Sequence, residues 1–349
     1  MINSYWEAAG FALMGLAVLQ LVWLLGLQLV GDMREAAFQA RVKRSGAQSP
    51  KVTVVVLADA TTPVSTVLDS VVAGNAAQVL FFAPAGSKAY NKARRYRQKR
   101  KAGAFLRVLQ RPAPSKLVAA IYARSTGSVL VVLDQGARLD SGDLQRITAA
   151  MADRALQAMV LRHRVMLNST LASGLGASWQ VLSRHFSRAY KSVPAPQYGL
   201  VVRKRVLRNA ARRKQPLAVE TLSDIWGALP STSRQSAAAP RGFTVDAGGP
   251  SSWHGLLRAN VSVKHSLLSL VGPVAILAAL MTLGTYQGAV VLGFAALLLV
   301  FLSALAVWSE PKLSVMARIN SLLLAPFAYI WYTLVAFASL LLLPVRLLK

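Results

Sequence analysis

Residues 11–30, "FALMGLAVLQLVWLLGLQLV", hold no charged side chain, in a chain whose formal net charge is +27. A helix of that length matches the hydrocarbon thickness of a bilayer, so this run limits what the chain can fold into more than any other feature. A cleaved signal peptide would have a basic leader and small residues at its cleavage site. Here Glu7 precedes the run instead, and the run reads as a retained anchor. Two further apolar runs, 267–284 and 289–308, are joined by "TYQG" and read as a membrane hairpin. A fourth, 321–343, carries Tyr329, Trp331 and Tyr332 and is closed by Pro344.

High charge and high apolar content coexist only if they are segregated. The chain has 349 residues, 54% of them hydrophobic, with 40 Lys+Arg against 13 Asp+Glu. Arg34, Arg41, Lys43, Arg44 and Lys51 follow the first run; Arg258 and Lys264 precede the hairpin; Lys312 and Arg318 follow it. By the positive-inside rule this places 32–265 and 309–320 on the cytoplasmic face of an inner or plasma membrane. The expected divisions are an anchor at 1–31, a basic linker at 32–50, a folded domain at 51–230, a Gly/Pro/Ser-rich segment at 231–265 and a membrane region at 266–349. The chain has no cysteine, which excludes disulfides, zinc thiolates and a thiol nucleophile.

Within 51–230, short apolar runs alternate with mixed segments, the pattern of an α/β fold around a mostly parallel sheet. Strands are expected at "KVTVVVLAD" (51–59), "AQVLFFAPAGS" (77–87), "FLRVLQR" (105–111) and "SVLVVLD" (128–134). Helices are expected at 65–75, at 114–127 with Ser115 as cap, and from Ser141 onward. Ligands of such sheets bind beyond the carboxyl ends of the strands, where Asp59, the "APAGS" loop and Asp134 would gather.

Two blocks are strongly basic: "KAYNKARRYRQKRK" (88–101), with eight cations, and "RKRVLRNAARRK" (203–214), with seven. A solvated helix face explains such a block by itself; beside a membrane, the anionic leaflet or an anionic lipid is the nearest partner. Nucleic acid is not expected, since membrane anchoring already accounts for a basic surface. His163, His185, His254 and His265 are not spaced as a metal set, and no P-loop, G-x-G-x-x-G or G-x-S-x-G motif occurs.

The order of these pieces resembles a membrane-bound family 2 glycosyltransferase, in which a GT-A nucleotide-sugar domain lies between an N-terminal span and a C-terminal group of spans. "VTVVVLADATTPVSTVLDSVVAG" is similar to that family's opening strand and helix, with Asp59 near its uridine-facing residues. "PSKLVAAIYARSTGSVLVVLDQGARLDSGDLQRI" resembles the segment leading to its metal-binding strand end. The resemblance implies Lys116 near phosphate, and Asp134 as the first aspartate of a D-x-D motif holding Mg²⁺ or Mn²⁺. "QYGLVVRKRVL" resembles the strand beside the acceptor site, implying substrate roles for Arg203 and Lys204, and "AVETLSDIWGAL" resembles the helix start that carries the base, implying Asp224. "SSWHGLLRAN" offers Trp253 and Arg258 where processive members clamp the acceptor.

The departures are specific. The second strand ends "FAPAGS" without an acid, D-x-D reads "DQG" with Gly136 in place of its second ligand, and Ser223 precedes Asp224. Asp140 is a candidate substitute ligand, while Asp143 is expected in the first turn of the next helix, where an acid favours the dipole. The implied activity is transfer of a sugar from a nucleotide diphosphate to a lipid-linked or polysaccharide acceptor. The alternative is a catalytically degenerate GT-A scaffold acting with partner membrane proteins. A paired-carboxylate hydrolase using Glu220 and Asp224 fits the strand order less well.

Overall fold

The computed structural model describes residues 2–44, 50–59, 62–134, 136–140, 142–163, 196, 198–212, 219–235 and 244–245, with scattered positions between 289 and 323. The chain divides into two compact units: Glu35–Arg164 with Val193–Pro250, and Met1–Arg34 with Val165–Ser192 and Ser251–Lys349.

The first unit is a doubly wound α/β domain. Strands β1 (Val52–Leu57), β2 (Gln78–Ala83), β3 (Leu106–Gln110), β4 (Val129–Asp134), β5 (Ala158–His163), β6 (Gly199–Arg203) and β7 (Thr244–Val245) form one sheet in the order β3-β2-β1-β4-β6-β5-β7. Every adjacent pair is parallel except the two that involve β6. β1, β2 and the first five residues of β4 are buried along their whole length. Covering both faces of a parallel sheet demands such unbroken apolar strands. "VTVVVL", "QVLFFA" and "VLVVL" meet that demand.

Helices α2 (Val64–Ala73), α3 (Lys88–Lys99) and α5 (Asp143–Ala150) pack on one face of the sheet. α4 (Leu117–Arg124), α6 (Lys204–Ala211) and α7 (Leu222–Ala228) cover the other. The connection through α2 and the one through α4 thus leave the sheet on opposite faces and carry the chain to opposite sides of β1. Right-handed crossovers dictate this arrangement. The strand order therefore reverses between β1 and β4.

A polar lock closes the amino-terminal edge of the parallel strands. The buried Gln78 Oε1 accepts from Thr53 Oγ1 (3.1 Å), Thr126 N (2.8 Å) and Thr126 Oγ1 (3.0 Å), while its Nε2 donates to the Arg124 carbonyl (3.0 Å). Gly127 N donates to Thr53 Oγ1 at 2.9 Å. A Cβ on Gly127 would lie 2.6 Å from Thr53 N and 2.7 Å from the Lys51 carbonyl oxygen, so glycine is what lets the two backbones approach.

Three expected divisions change. The basic linker at 32–50 is helical as far as Arg44, because α1 runs Ile2–Arg44 and turns Phe38 and Val42, one helical repeat apart, onto the domain core. The folded unit therefore starts near residue 35 instead of 51. The segment expected to be a loop from 231 contains a short helix α8 (Ser231–Gln235) and β7, whose Thr244 and Val245 add to the edge of β5. Finally, β5 was not expected as a strand, while α6 falls in the basic block 203–214, for which a solvated helix face was one of the readings.

In the second unit, α1 exposes Leu16, Leu19, Val22, Trp23 and Leu29. Positions 290, 297, 300, 301, 319 and 323 are helical and likewise expose large apolar side chains. Among the described residues no helix is long and apolar enough to cross a membrane. Several α1 side chains within 11–30, Leu13 and Leu24 among them, lie outside the described set, as do the run 267–284, most of 289–308 and 321–343, and both Trp253 and Arg258.

Candidate functional site

In an open α/β sheet, ligands bind in the crevice beyond the carboxyl ends of the strands where strand order reverses. Here that crevice lies between β1 and β4. The register sets Leu57 opposite Asp134, so Asp59, two residues beyond Leu57, stands at the same sheet edge on the neighbouring strand. The two expected carboxylates are thus brought to one edge by the pairing of their strands.

Each loop here has a local cause. The hydroxyl of the buried Thr62 donates to Asp59 Oδ1 at 2.8 Å and accepts from Asp59 N at 2.9 Å, which pins the exposed Asp59 against the turn into α2. Asp134 is half-buried; its amide donates to the Tyr198 carbonyl (3.0 Å) and its carbonyl accepts from Ala137 N (3.0 Å). That last bond closes a turn in which Gly136 adopts φ +70°, and a Cβ there would lie 3.0 Å from Pro63 Cδ. The missing second acid of the D-x-D pattern has a steric counterpart: this backbone favours glycine. Thr62, Pro63 and Tyr198 escaped the sequence reading, although the D-x-x-T spacing at 59–62 is a turn signal. Burial raises the pKa of the Tyr198 phenol above its ordinary value.

The acids beyond β4 serve structure. Asp143 opens α5 as expected, behind Gly142 at φ +86° in the cap position. Its carboxylate is almost wholly buried, accepts from Asp140 N at 3.1 Å and lies 3.5 Å from Arg146. Among the described residues no three His, Asp or Glu side chains gather as an ion site. The donor set is thus one or two carboxylates at adjacent strand ends. That fits a Mg²⁺-type ion completed by waters and substrate phosphates, and does not fit an all-protein cage.

The basic candidates separate. Lys116 ends a short 3₁₀ turn, Pro114–Lys116, beyond the carboxyl end of β3, and is exposed on the same edge as Asp134. Ser115 caps nothing; Lys116 holds the cap position of α4 without a side-chain bond. Arg203 and Lys204 do not join this edge. β6 runs antiparallel to β4, with Gly199 opposite Leu133 and Arg203 opposite Val129. Arg203 therefore sits about 16 Å away along the strands, at the amino-terminal edge. There its guanidinium donates to the carbonyls of Leu156 (2.8 Å), Met151 (2.6 Å) and Asp153 (2.7 Å). Burial, with neighbouring Arg205 adding repulsion, lowers its pKa. Lys204 Nζ donates to the Ser125 carbonyl and lies 5.1 Å above the Tyr122 ring. Arg203 and Lys204, expected beside the substrate, thus lie at the opposite edge from Asp134 and donate to backbone carbonyls, a placement that an apolar run does not reveal because strand direction is not written in it.

Asp224 forms the third position of a capping box on α7. Its Oδ2 accepts from Glu220 N (3.0 Å), Thr221 N (2.8 Å) and Thr221 Oγ1 (2.9 Å), and Thr221 Oγ1 accepts from Asp224 N (3.3 Å). The segment before it is held at the β3 end of the site edge. Val219 N donates to the Pro114 carbonyl at 3.2 Å, and Arg111 donates to the Glu220 carbonyl.

Fold and site together define a doubly wound α/β domain with two carboxylates at its topological switch point. Solved structures similar to this chain include a mannosyltransferase, PcManGT from Pyrobaculum calidifontis, in complex with GDP-Man and Mn²⁺: 15% identity over 95% of this chain and 98% of that one, TM-score 0.48. S. aureus TarS in complex with UDP-GlcNAc is similar at 12% identity, over 81% of this chain and 91% of that one, TM-score 0.39. No protein-family model and no curated protein matches the sequence.

Proposed function

We propose that the chain is a membrane-anchored glycosyltransferase that binds a nucleotide-diphosphate sugar in the crevice between the ends of β1 and β4. The observation that carries this reading is the register that pairs Leu57 with Asp134 and so brings Asp59, two residues on, to the same sheet edge where strand order reverses. In the reaction the acceptor hydroxyl forms a bond to the anomeric carbon, the bond from that carbon to the diphosphate oxygen breaks, and the hydroxyl proton passes to a base. Asp134 would hold a divalent ion, which neutralises charge on the departing diphosphate. Asp59, fixed by Thr62, is assigned to the nucleoside, and exposed Lys116 to phosphate. Asp224, with its orientation set by the capping box, is assigned as the base.

Anchoring is supported by α1, which presents apolar side chains to its surroundings where a helix of a soluble domain would show a polar face. The cations that follow its apolar run favour a domain on the cytoplasmic face with a lipid-linked or envelope acceptor. The reading is tested by titrating the detergent-solubilised chain with UDP-, GDP- and other nucleotide sugars, with and without Mn²⁺. Binding that weakens in Asp134→Asn is the expected result; absence of binding by every donor would sink it.

A second reading, a scaffold that has lost turnover, is favoured by Gly136, whose turn resists a second acid, and by the commitment of Asp224 Oδ2 to three donors. It predicts that Asp134→Asn leaves the cellular phenotype intact while deletion of the chain does not.

A further inference from the structure

Helix α3 has two distinct faces. Ala89, Ala93 and Tyr96 turn to the core; Lys88, Lys92, Arg95 and Lys99, spaced i, i+4, i+7, i+11, form an exposed stripe roughly 100° around the helix from them. Arg94, Arg97, Arg100 and Lys101 extend the charge around the helix and past its end, and all are exposed. No acid lies within α3. Among the described residues, the acid that pairs with this region is Asp69 on α2, 3.6 Å from Arg100 and accepting from the Tyr96 hydroxyl at 2.7 Å. Eight cations on so short a segment repel one another. Folding them into one helix raises the local potential, and only a counter-surface of opposite charge lowers it again.

We infer that the exposed stripe of α3 is an electrostatic docking surface for an anionic lipid leaflet. The inference rests on the anchored reading above, and adds to it the surface by which the domain lies down on the membrane. The stripe has no large apolar residue, so the contact is made by headgroup charge and not by insertion into the acyl layer. Chain connectivity favours a leaflet over a soluble polyanion. The last turns of α1 pack through Phe38 and Val42 onto the same core as α3, so an anchor continuous with α1 keeps this domain at the membrane surface, where the local concentration of anionic headgroups is high. Because α3 is capped by Ser87, just past the carboxyl end of β2, docking would hold the switch-point edge at a fixed height above the headgroups. That geometry suits an acceptor presented from the bilayer.

The chain has no cysteine, so Gln98→Cys, at an exposed position beside the stripe, accepts a single fluorescent probe. The full-length labelled chain is reconstituted into nanodiscs of neutral lipid and of neutral lipid mixed with phosphatidylglycerol, each carrying a headgroup quencher. The expected result is quenching about threefold or more stronger in anionic discs, lost near 0.5 M salt where screening shortens to roughly 4 Å, and lost in the K92E/R95E/K99E variant. Quenching indifferent to lipid charge overturns the inference while leaving the anchored reading intact. Failure of the chain to enter either disc overturns both. A probe that answers to added polyphosphate in neutral discs, and not to anionic lipid, overturns the inference in favour of a soluble polyanion.

Discussion

The two edges of the sheet carry different polar residues in different settings. At the amino-terminal edge, Gln78, Arg203 and Lys204 spend their polar atoms on the carbonyls and amides of neighbouring loops. At the carboxyl edge, Asp59 and Asp134 stand at adjacent strand ends, with their backbones tied down and their carboxylates at or near the surface. Position along the strand thus separates the groups that brace the fold from the two carboxylates of the proposed site.

The largest test of that contrast is Arg203→Met. It strands three backbone carbonyls and is expected to cost about 2–3 kcal/mol, read as a lower denaturation midpoint, with donor affinity of the folded protein unchanged. A loss of affinity at constant stability would instead return Arg203 to the substrate. Asp134→Asn should behave in the opposite sense, with a denaturation midpoint near that of the parent and donor turnover down about 100-fold, the scale of a lost charge-stabilising group. Restoring the missing acid by Gly136→Asp should not repair the site. Its positive φ and the contact with Pro63 predict a cost of about 1–2 kcal/mol, with no gain in Mn²⁺ affinity by calorimetry. The smallest effect concerns Tyr96, whose pKa is pushed up to about 12 by burial first and then by its bond to Asp69. A raised folded pKa means the native state holds the proton more tightly. Stability contributed by this group is therefore complete below pH 10 and is lost as the pH climbs toward 12. Tyr96→Phe should flatten that decline in alkaline unfolding curves.

Much of this arrangement was readable from the residues. Buried parallel strands must be apolar throughout, so "VTVVVL" and "VLVVL" announced themselves, and an aspartate ending such a run had to lie at its carboxyl edge. Asp143 at a helix start followed from its place beyond β4; Asp224 was legible at a helix start, beside its reading as a base, but Thr221 as its cap was not. What could not be read was direction. "GLVVR" has the same pattern whichever way it runs, and only its antiparallel pairing with β4 sets Arg203 at the edge opposite Asp134. β5, "AMVLRH", gave too short an apolar run to stand out. Phe38 and Val42 were legible as an i, i+4 pair, but the basic residues around them argued for a linker.

The buried amide of Gln78 has one further consequence. Its oxygen and nitrogen are satisfied only when Thr53, Thr126 and the Arg124 carbonyl arrive together, and these belong to β1 and to the turn between α4 and β4. Apolar strands slide past one another at little cost, since one valine resembles the next. A shift of one residue would flip every side chain to the other face and break this whole set of bonds at once. The amide thus works as a checksum on alignment, and the neighbouring placement of Asp59 and Asp134 is inherited from a test made at the far end of the same strands.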